Sequence, residues 1–164
     1  MKIIKDEIGF CEIPDVATLN IYAVGCAREC VGCHHGHMKD FNHPHAKILT
    51  ADRLFEKIKY GVPLIKAVVW LGGDSLYQPD ALIELSGVVI SAGLVNCLYT
   101  GEVFENVPQS VKSVVDVIKD GEWKGVPVTD DSSNQRFFVK KTNGSWMQVK
   151  YSNLTSEIGG IRHG

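Results

Sequence analysis

The stretch Leu19-Asn-Ile-Tyr-Ala-Val-Gly-Cys-Ala-Arg-Glu-Cys-Val-Gly-Cys33 runs from an apolar segment straight into a loop of three cysteines. Leu19 to Val24 is β-branched and aromatic enough for a buried strand, and Gly25 ends it. Cys26, Cys30 and Cys33 follow in the spacing C-x3-C-x2-C. Three thiolates are one too few to hold every iron of a four-iron cluster, and the iron left open is free to do chemistry. The same thiols also suit a structural zinc site with His34 or His35 as fourth ligand.

Outward from this stretch, strands alternate with helices. Thr50 N-caps a helix whose apolar side is Leu54, Phe55 and Ile58, with Asp52 in its first turn and Gly61 and Pro63 stopping it. Ala67 to Leu71 is a second strand, running into Gly72-Gly73-Asp74. Pro79 opens a second helix lined by Leu82, Leu85, Val89 and Ala92 and closed by Gly93. Val95 to Tyr99 is a third strand. After a helical turn around Gln109 to Lys112, Val114 to Ile118 is a fourth. This rhythm predicts an α/β fold with a mostly parallel sheet and right-handed crossovers. Phe137 to Lys140 and Trp146 to Val149 flank Asn143-Gly144, which adds a C-terminal antiparallel hairpin. Residues 1–150 read as one domain without internal repeats, and 151–164 as a polar, poorly ordered C-terminal tail.

Composition narrows the class. The chain has 164 residues, 45% hydrophobic and 22% charged, with a net charge of −2. That balance gives no reason to expect nucleic acid or an anionic membrane as partner. The run from Val62 to Leu71 is too short to span a bilayer, and the Met-Lys-Ile-Ile-Lys-Asp-Glu start has no apolar signal core. Five cysteines, three of them within eight residues, favour metal over disulfides and a cytoplasmic location. Cys97, inside a strand, is expected to be buried and inert. His35, His37, His43 and His45 are expected on a solvated loop.

In a parallel sheet, ligands collect at the carboxyl ends of the strands. The cysteine loop, Gly72-Gly73-Asp74 and Thr100-Gly101 each follow a strand, so all three converge on one edge.

These segments carry a family resemblance. Val24 to Cys33, Leu71-Gly-Gly-Asp-Ser-Leu-Tyr77, Leu98-Tyr-Thr-Gly101, Val115-Asp-Val-Ile-Lys-Asp-Gly121 and Ser133-Asn-Gln-Arg136 resemble radical S-adenosylmethionine (SAM) enzymes. Their order, and Gly32 before the third cysteine, are similar to the activating proteins of anaerobic ribonucleoside-triphosphate reductases. Two features depart from that pattern. Glu12 to Thr18 lacks the family's Gly-Pro-Gly and arginine, and Asp130-Asp131 stands where it has Arg-Gly.

The resemblance implies a partial (β/α) barrel. Cys26, Cys30 and Cys33 would hold a [4Fe-4S] cluster, and SAM would chelate its fourth iron. Gly32, Cys33, His34, Gly72, Gly73, Asp74, Thr100, Asn134 and Arg136 would face SAM. The two glycines would let backbone approach the methionine moiety, and Asp74 would accept from the SAM amino group or cap the following turn. Reductive cleavage of SAM would give a 5′-deoxyadenosyl radical that takes hydrogen from a glycine Cα of the large reductase subunit. A low-potential donor such as flavodoxin would supply the electron. The alternatives are a radical SAM enzyme acting on another glycyl radical enzyme or a small molecule, and a non-enzymatic zinc module of three cysteines and one histidine.

Overall fold

The computed structural model describes residues 1–161 other than Val62 and Asp131. The sequence-predicted tail residues 162–164 lie outside the described residues. The chain opens with a hairpin of β1 (Lys2–Ile13) and β2 (Val16–Ala23), turned at Pro14-Asp15 with Asp15 at φ 59°. Aspartate is among the few residues that tolerate this left-handed conformation. A two-residue strand β3 (Lys47–Ile48) pairs with the start of β1. Helix α1 (Ala51–Gly61) then leads to β4 (Ala67–Gly72), α2 (Pro79–Ser91) to β5 (Val95–Tyr99), and α3 (Gln109–Val114) to β6 (Val117–Asp120). The chain ends with β7 (Arg136–Lys140), β8 (Trp146–Val149) and a short helix α4 (Leu154–Ile158).

All eight strands form one open sheet in the order β3-β1-β2-β4-β5-β6-β7-β8. The central neighbours β2, β4, β5 and β6 are parallel, and every flanking pair is antiparallel. The result is a mixed α/β sheet curved into a partial barrel that does not close. The C-terminal hairpin is present, with Gly144 at φ 82° in its turn. The antiparallel edge formed by β1 and β3 was not legible beforehand.

Helix α1 presents Leu54 and Ile58 to the sheet, a four-residue spacing that keeps them on one stripe. Thr50 Oγ1 accepts from Arg53 N at 3.4 Å, as its capping role requires. Phe55, expected on the apolar side, is 54% exposed because it falls to the flank of that stripe. Likewise Leu82, Leu85 and Val89 of α2 are buried, whereas Ala92 is exposed beyond the helix end. One core lies between these helices and the sheet around Trp70, Ile21 and Leu98. The fourth strand begins later than its apolar run suggests. Val114 is still helical, and Asn96 Nδ2 donates to its carbonyl at 2.7 Å. Asn96 N also donates to Asp116 at 2.9 Å, so pairing with β5 starts at Val117.

A second core fills the concave face around Val69, Leu71, Cys97, Val117 and Phe137. The segment from Tyr151 onward, expected to be poorly ordered, closes this face. Leu154 and Ile158 of α4 are buried in it. Tyr151 OH donates to Cys11 O at 2.8 Å, and Thr155 Oγ1 donates to Pro14 O, so the segment spans from β8 back to β1. Polar composition concealed two apolar residues spaced as one helical face. Leu154→Ala should therefore cost about 2–5 kcal/mol, as for other fully buried leucines, measured by urea unfolding of the metal-free protein.

Candidate active site at the carboxyl ends of the parallel strands

The cysteine loop is anchored at its root. Gly25, at φ 91°, donates its N–H to Met38 O at 2.8 Å, and Cys26 N donates to Lys39 O at 3.1 Å. The two hydrogen bonds join the beginning of the loop to the segment that follows it. Within it, Cys33 N donates to Cys30 O at 3.3 Å. Cys26, Cys30 and Cys33 are half-buried and line one cleft with Gly72, Gly73 and Thr100. Burial pushes the Cys26 thiol up from its ordinary value, Asp74 adds to the rise, and a backbone hydrogen bond at Arg28 opposes it. Gly32 sits exposed at the loop tip with φ 67°, which explains glycine there.

The Gly72-Gly73-Asp74 turn docks on the end of β2. Gly73 N donates to Ala23 O at 2.8 Å, and Asp74 N donates to Gly25 O at 2.9 Å. A Cβ on Gly72 would lie 2.7 Å from Ala23 N, and one on Gly73 would lie 2.6 Å from Gly25 O. The nearest reason for both glycines is thus this chain's own backbone, pressed between turn and loop. Both still line the cleft.

Asp74 is only 1% exposed. Its carboxylate accepts from Thr100 Oγ1 at 2.7 Å, from Gly101 N at 3.1 Å and from Leu76 N at 3.0 Å. Of the two roles expected for Asp74, the capping one is occupied, and its oxygens point inward at the loop after β5. Burial pushes the carboxyl up, while the bonds from Thr100, Leu76 and Gly101 and the Arg28 charge pull it back. Thr100 lines the cleft, but its hydroxyl proton is committed to Asp74.

Arg28, between the first two cysteines, escaped the sequence reading. Its Nη2 donates to Glu102 Oε2 at 2.6 Å, and its Nε lies 3.6 Å from Asp74 Oδ2. Its stem rests on Gly101, where a Cβ would come within 2.5 Å of Arg28 Cδ. One side chain therefore ties the cysteine loop to the loops after β4 and β5. Sequence offered one signal, an arginine beside a glycine-ended strand, and no sequence separation reveals such a pairing.

The segment between β6 and β7 forms the remaining wall. Trp123 packs on His34 with ring centroids 4.7 Å apart. Of the expected Asn134 and Arg136, neither lines the cleft. Asn134 is exposed and donates to Glu122 O at 2.8 Å. Arg136 is held by Asp120 and Glu105, because the buried Asp120 carboxylate also takes the Arg136 and Phe104 amides. Gln135, between them, is the residue that faces in. Its Nε2 donates to Gly121 O at 2.9 Å. His35, expected on a solvated loop, is half-buried in the cleft wall, edge-on to Tyr22 at 5.4 Å. Asp130 caps Ser132 on the surface, and Asp131 lies outside the described residues. Cys97 is fully buried, as expected.

The comparisons with known proteins bear on this cleft. The family model for the radical SAM superfamily matches residues 20–150. The chain belongs to the radical SAM superfamily. No curated protein matches the chain. Among solved structures, the chain is similar to QueE from Escherichia coli at 15% identity and a TM-score of 0.57. That alignment covers 73% of this chain and 70% of the other, and shows the radical SAM fold.

Radical SAM enzymes use a [4Fe-4S] cluster and SAM. The residues present fit both groups. Three thiols from one anchored loop line a single cleft. Two buried polar atoms in its wall, Arg28 Nε and Gln135 Oε1, have no hydrogen-bond partner among the described residues. One is a donor on a cation and the other an acceptor, a complement to the carboxylate and the amino or hydroxyl groups of SAM. Among the described residues, no three His, Cys, Asp or Glu side chains are gathered as a single-ion site.

Two measurements test this electrostatic frame on metal-free protein. Arg28→Gln leaves the buried Asp74 facing no guanidinium and should destabilise by about 1–3 kcal/mol in urea, with partial recovery in Arg28→Lys. Lys119, in the cleft wall, is pushed by burial from 10.5 down to about 8. The folded protein thus releases this proton near pH 8, whereas the unfolded chain holds it to about pH 10.5. Between those values the unfolded chain binds more protons, so this group makes stability rise with pH. Relative to wild type, Lys119→Met should gain most stability below pH 8 and progressively less toward pH 10.5.

Proposed function

We propose that this radical SAM protein is the activating enzyme of an anaerobic ribonucleotide reductase. In this reading, its substrate is a glycine Cα–H on the large, glycyl-radical subunit. The observation that carries the reading is the cleft itself. Three cysteines of an activase-like loop, Gly72-Gly73 and Gln135 share it at the carboxyl edge of the sheet. A cleft whose rim is the exposed tip of a loop suits a substrate presented by another protein better than one that must be enclosed. The tip of the cysteine loop agrees with this, since Val31 is 86% exposed.

Cys26, Cys30 and Cys33 would hold the [4Fe-4S] cluster in the cleft they line, with SAM beside it. When bound, the cluster would supply the electron for reductive cleavage of SAM. The Arg28 guanidinium, held by Glu102 and facing Asp74, and Lys119 place positive charge on the wall that a ligand carboxylate would meet. Gln135 Oε1 accepts from an amino or hydroxyl group of the ligand. Asp74 takes no part in the chemistry; it fixes the loop after β5, and with it Thr100, against the cysteine loop. His34 and Trp123 wall off the outer side from water. A flavodoxin-like donor provides the electron in the cytoplasm.

The test is anaerobic reconstitution with iron and sulfide, followed by reductant, SAM and the large reductase subunit. Wild type should form 5′-deoxyadenosine and a glycyl radical visible by electron paramagnetic resonance. Cys30→Ala should form neither. 5′-Deoxyadenosine without a glycyl radical would keep the radical SAM chemistry and remove the reductase as substrate.

A further inference from the structure

Apart from its histidines and cysteines, the cleft has four ionisable side chains of fixed formal charge in its wall: Arg28, Lys39, Asp74 and Lys119. Arg28 is engaged, since Glu102 accepts from its Nη2 at 2.6 Å and Asp74 lies 3.6 Å from its Nε. Lys39 and Lys119 remain, and among the described residues neither ammonium forms an ion pair. Lys119 has other company: its Nζ lies 5.1 Å from the centre of the Tyr99 ring, and Glu12 acts on it at longer range. For the Lys39 side chain, the described residues supply no hydrogen bond, carboxylate or ring.

Lys39 is tied to the first cysteine. Its carbonyl accepts the Cys26 N–H at 3.1 Å, and the carbonyl of Met38 accepts the Gly25 N–H at 2.8 Å. Met38 is 2% exposed and anchors this segment in the concave core. Lys119 stands at the other end of the parallel set, on β6, where its carbonyl accepts from Thr100 N at 2.9 Å. The half-buried Lys39 thus belongs to the wall formed by the loop that carries all three thiols. A partly buried cation without a counter-ion is unfavourable unless the contents of the cleft supply one. A [4Fe-4S] cluster held by three thiolates is net negative, and an added electron makes it more so. Positive charge nearby therefore favours its reduced form over the oxidised one.

We propose that Lys39 is the counter-charge of the cluster and raises its reduction potential toward the reach of the electron donor. Lys119, at the far end of the parallel set, is left to the ligand carboxylate. This role depends on the superfamily's cluster alone and holds whichever substrate donates the hydrogen.

The experiment titrates the reconstituted wild type, Lys39→Met, Lys39→Gln, Lys39→Arg and Lys119→Met with reductant at controlled potential, without SAM or partner. The reduced cluster is followed by electron paramagnetic resonance, and iron and sulfide are measured in each sample. At the wild-type midpoint, the reduced-to-oxidised ratio should fall about tenfold in Lys39→Met and Lys39→Gln. Lys39→Arg should stay close to wild type, and Lys119→Met should move less than either neutral variant at position 39. An unmoved midpoint in the fully loaded neutral variants overturns the proposal, as does a larger shift in Lys119→Met. An equal shift in Lys39→Arg also overturns it, because that effect would be steric and not one of charge. Loss of the cluster from both neutral variants makes Lys39 a support of the cysteine loop and overturns the tuning role too. Absence of a glycyl radical on the reductase subunit, by contrast, removes the activase reading and leaves these midpoints as they are.

Discussion

The buried carboxylate of Asp74 is the point on which the site depends. Together with Arg28, it touches all three loops at the carboxyl edge: its own turn through Leu76 N, the loop after β5 through Thr100 and Gly101, and the cysteine loop through Arg28 itself. A carboxylate with so little solvent is tolerable only when its lone pairs are taken and a cation stands nearby. Both conditions are met by residues whose other function is to shape the cleft. The close backbone contacts of Gly72 with Ala23 and of Gly73 with Gly25 follow from the same docking. The turn cannot bring its carboxylate to this position unless its backbone lies directly on the end of β2.

The central fold was legible because its signals are local. Val95 to Tyr99 is a short run with a β-branched start and an aromatic end, and the structure starts and stops the strand at those residues. Pro79 and the Leu82, Leu85 and Val89 spacing define α2 equally well. Strand β1 was missed because Lys5, Asp6, Glu7 and Glu12 read as a charged terminus. In the sheet those charges find partners instead: Asp6 meets Lys57 at 2.7 Å, and Glu7 accepts from Tyr22 OH at 2.7 Å. Leu154 and Ile158 were hidden in the same way among polar neighbours.

At the carboxyl edge, the motifs meet in one cleft together with residues that they did not include. The three cysteines and two glycines are contiguous patterns, and all five line the cleft. Among Asn134, Gln135 and Arg136, the choice depended on which way each side chain turns, and alternation is set by the β6 register. Asp120 captures Arg136 from the neighbouring strand, and that pairing turns Gln135 inward. Arg28 was invisible for a related reason. Its partners, Asp74 and Glu102, are 46 and 74 positions away, and only the folded edge unites them.

The order of strands has a consequence for how this chain assembles. β5 and β6 each pair with the strand just before them in sequence, β4 pairs with β2 across the short β3, and both outer hairpins are local, so the sheet can grow outward from nearby contacts. The bridge from Tyr151 and Thr155 to Cys11 and Pro14 is different, because it closes a loop of about 140 residues. Contacts of that span gain little until the rest of the sheet is in place. They belong to the late part of folding, where a weakened contact speeds unfolding and leaves the folding rate nearly unchanged. The strap across the barrel's open side is thus a kinetic latch, setting how long the folded sheet persists more than how fast it forms.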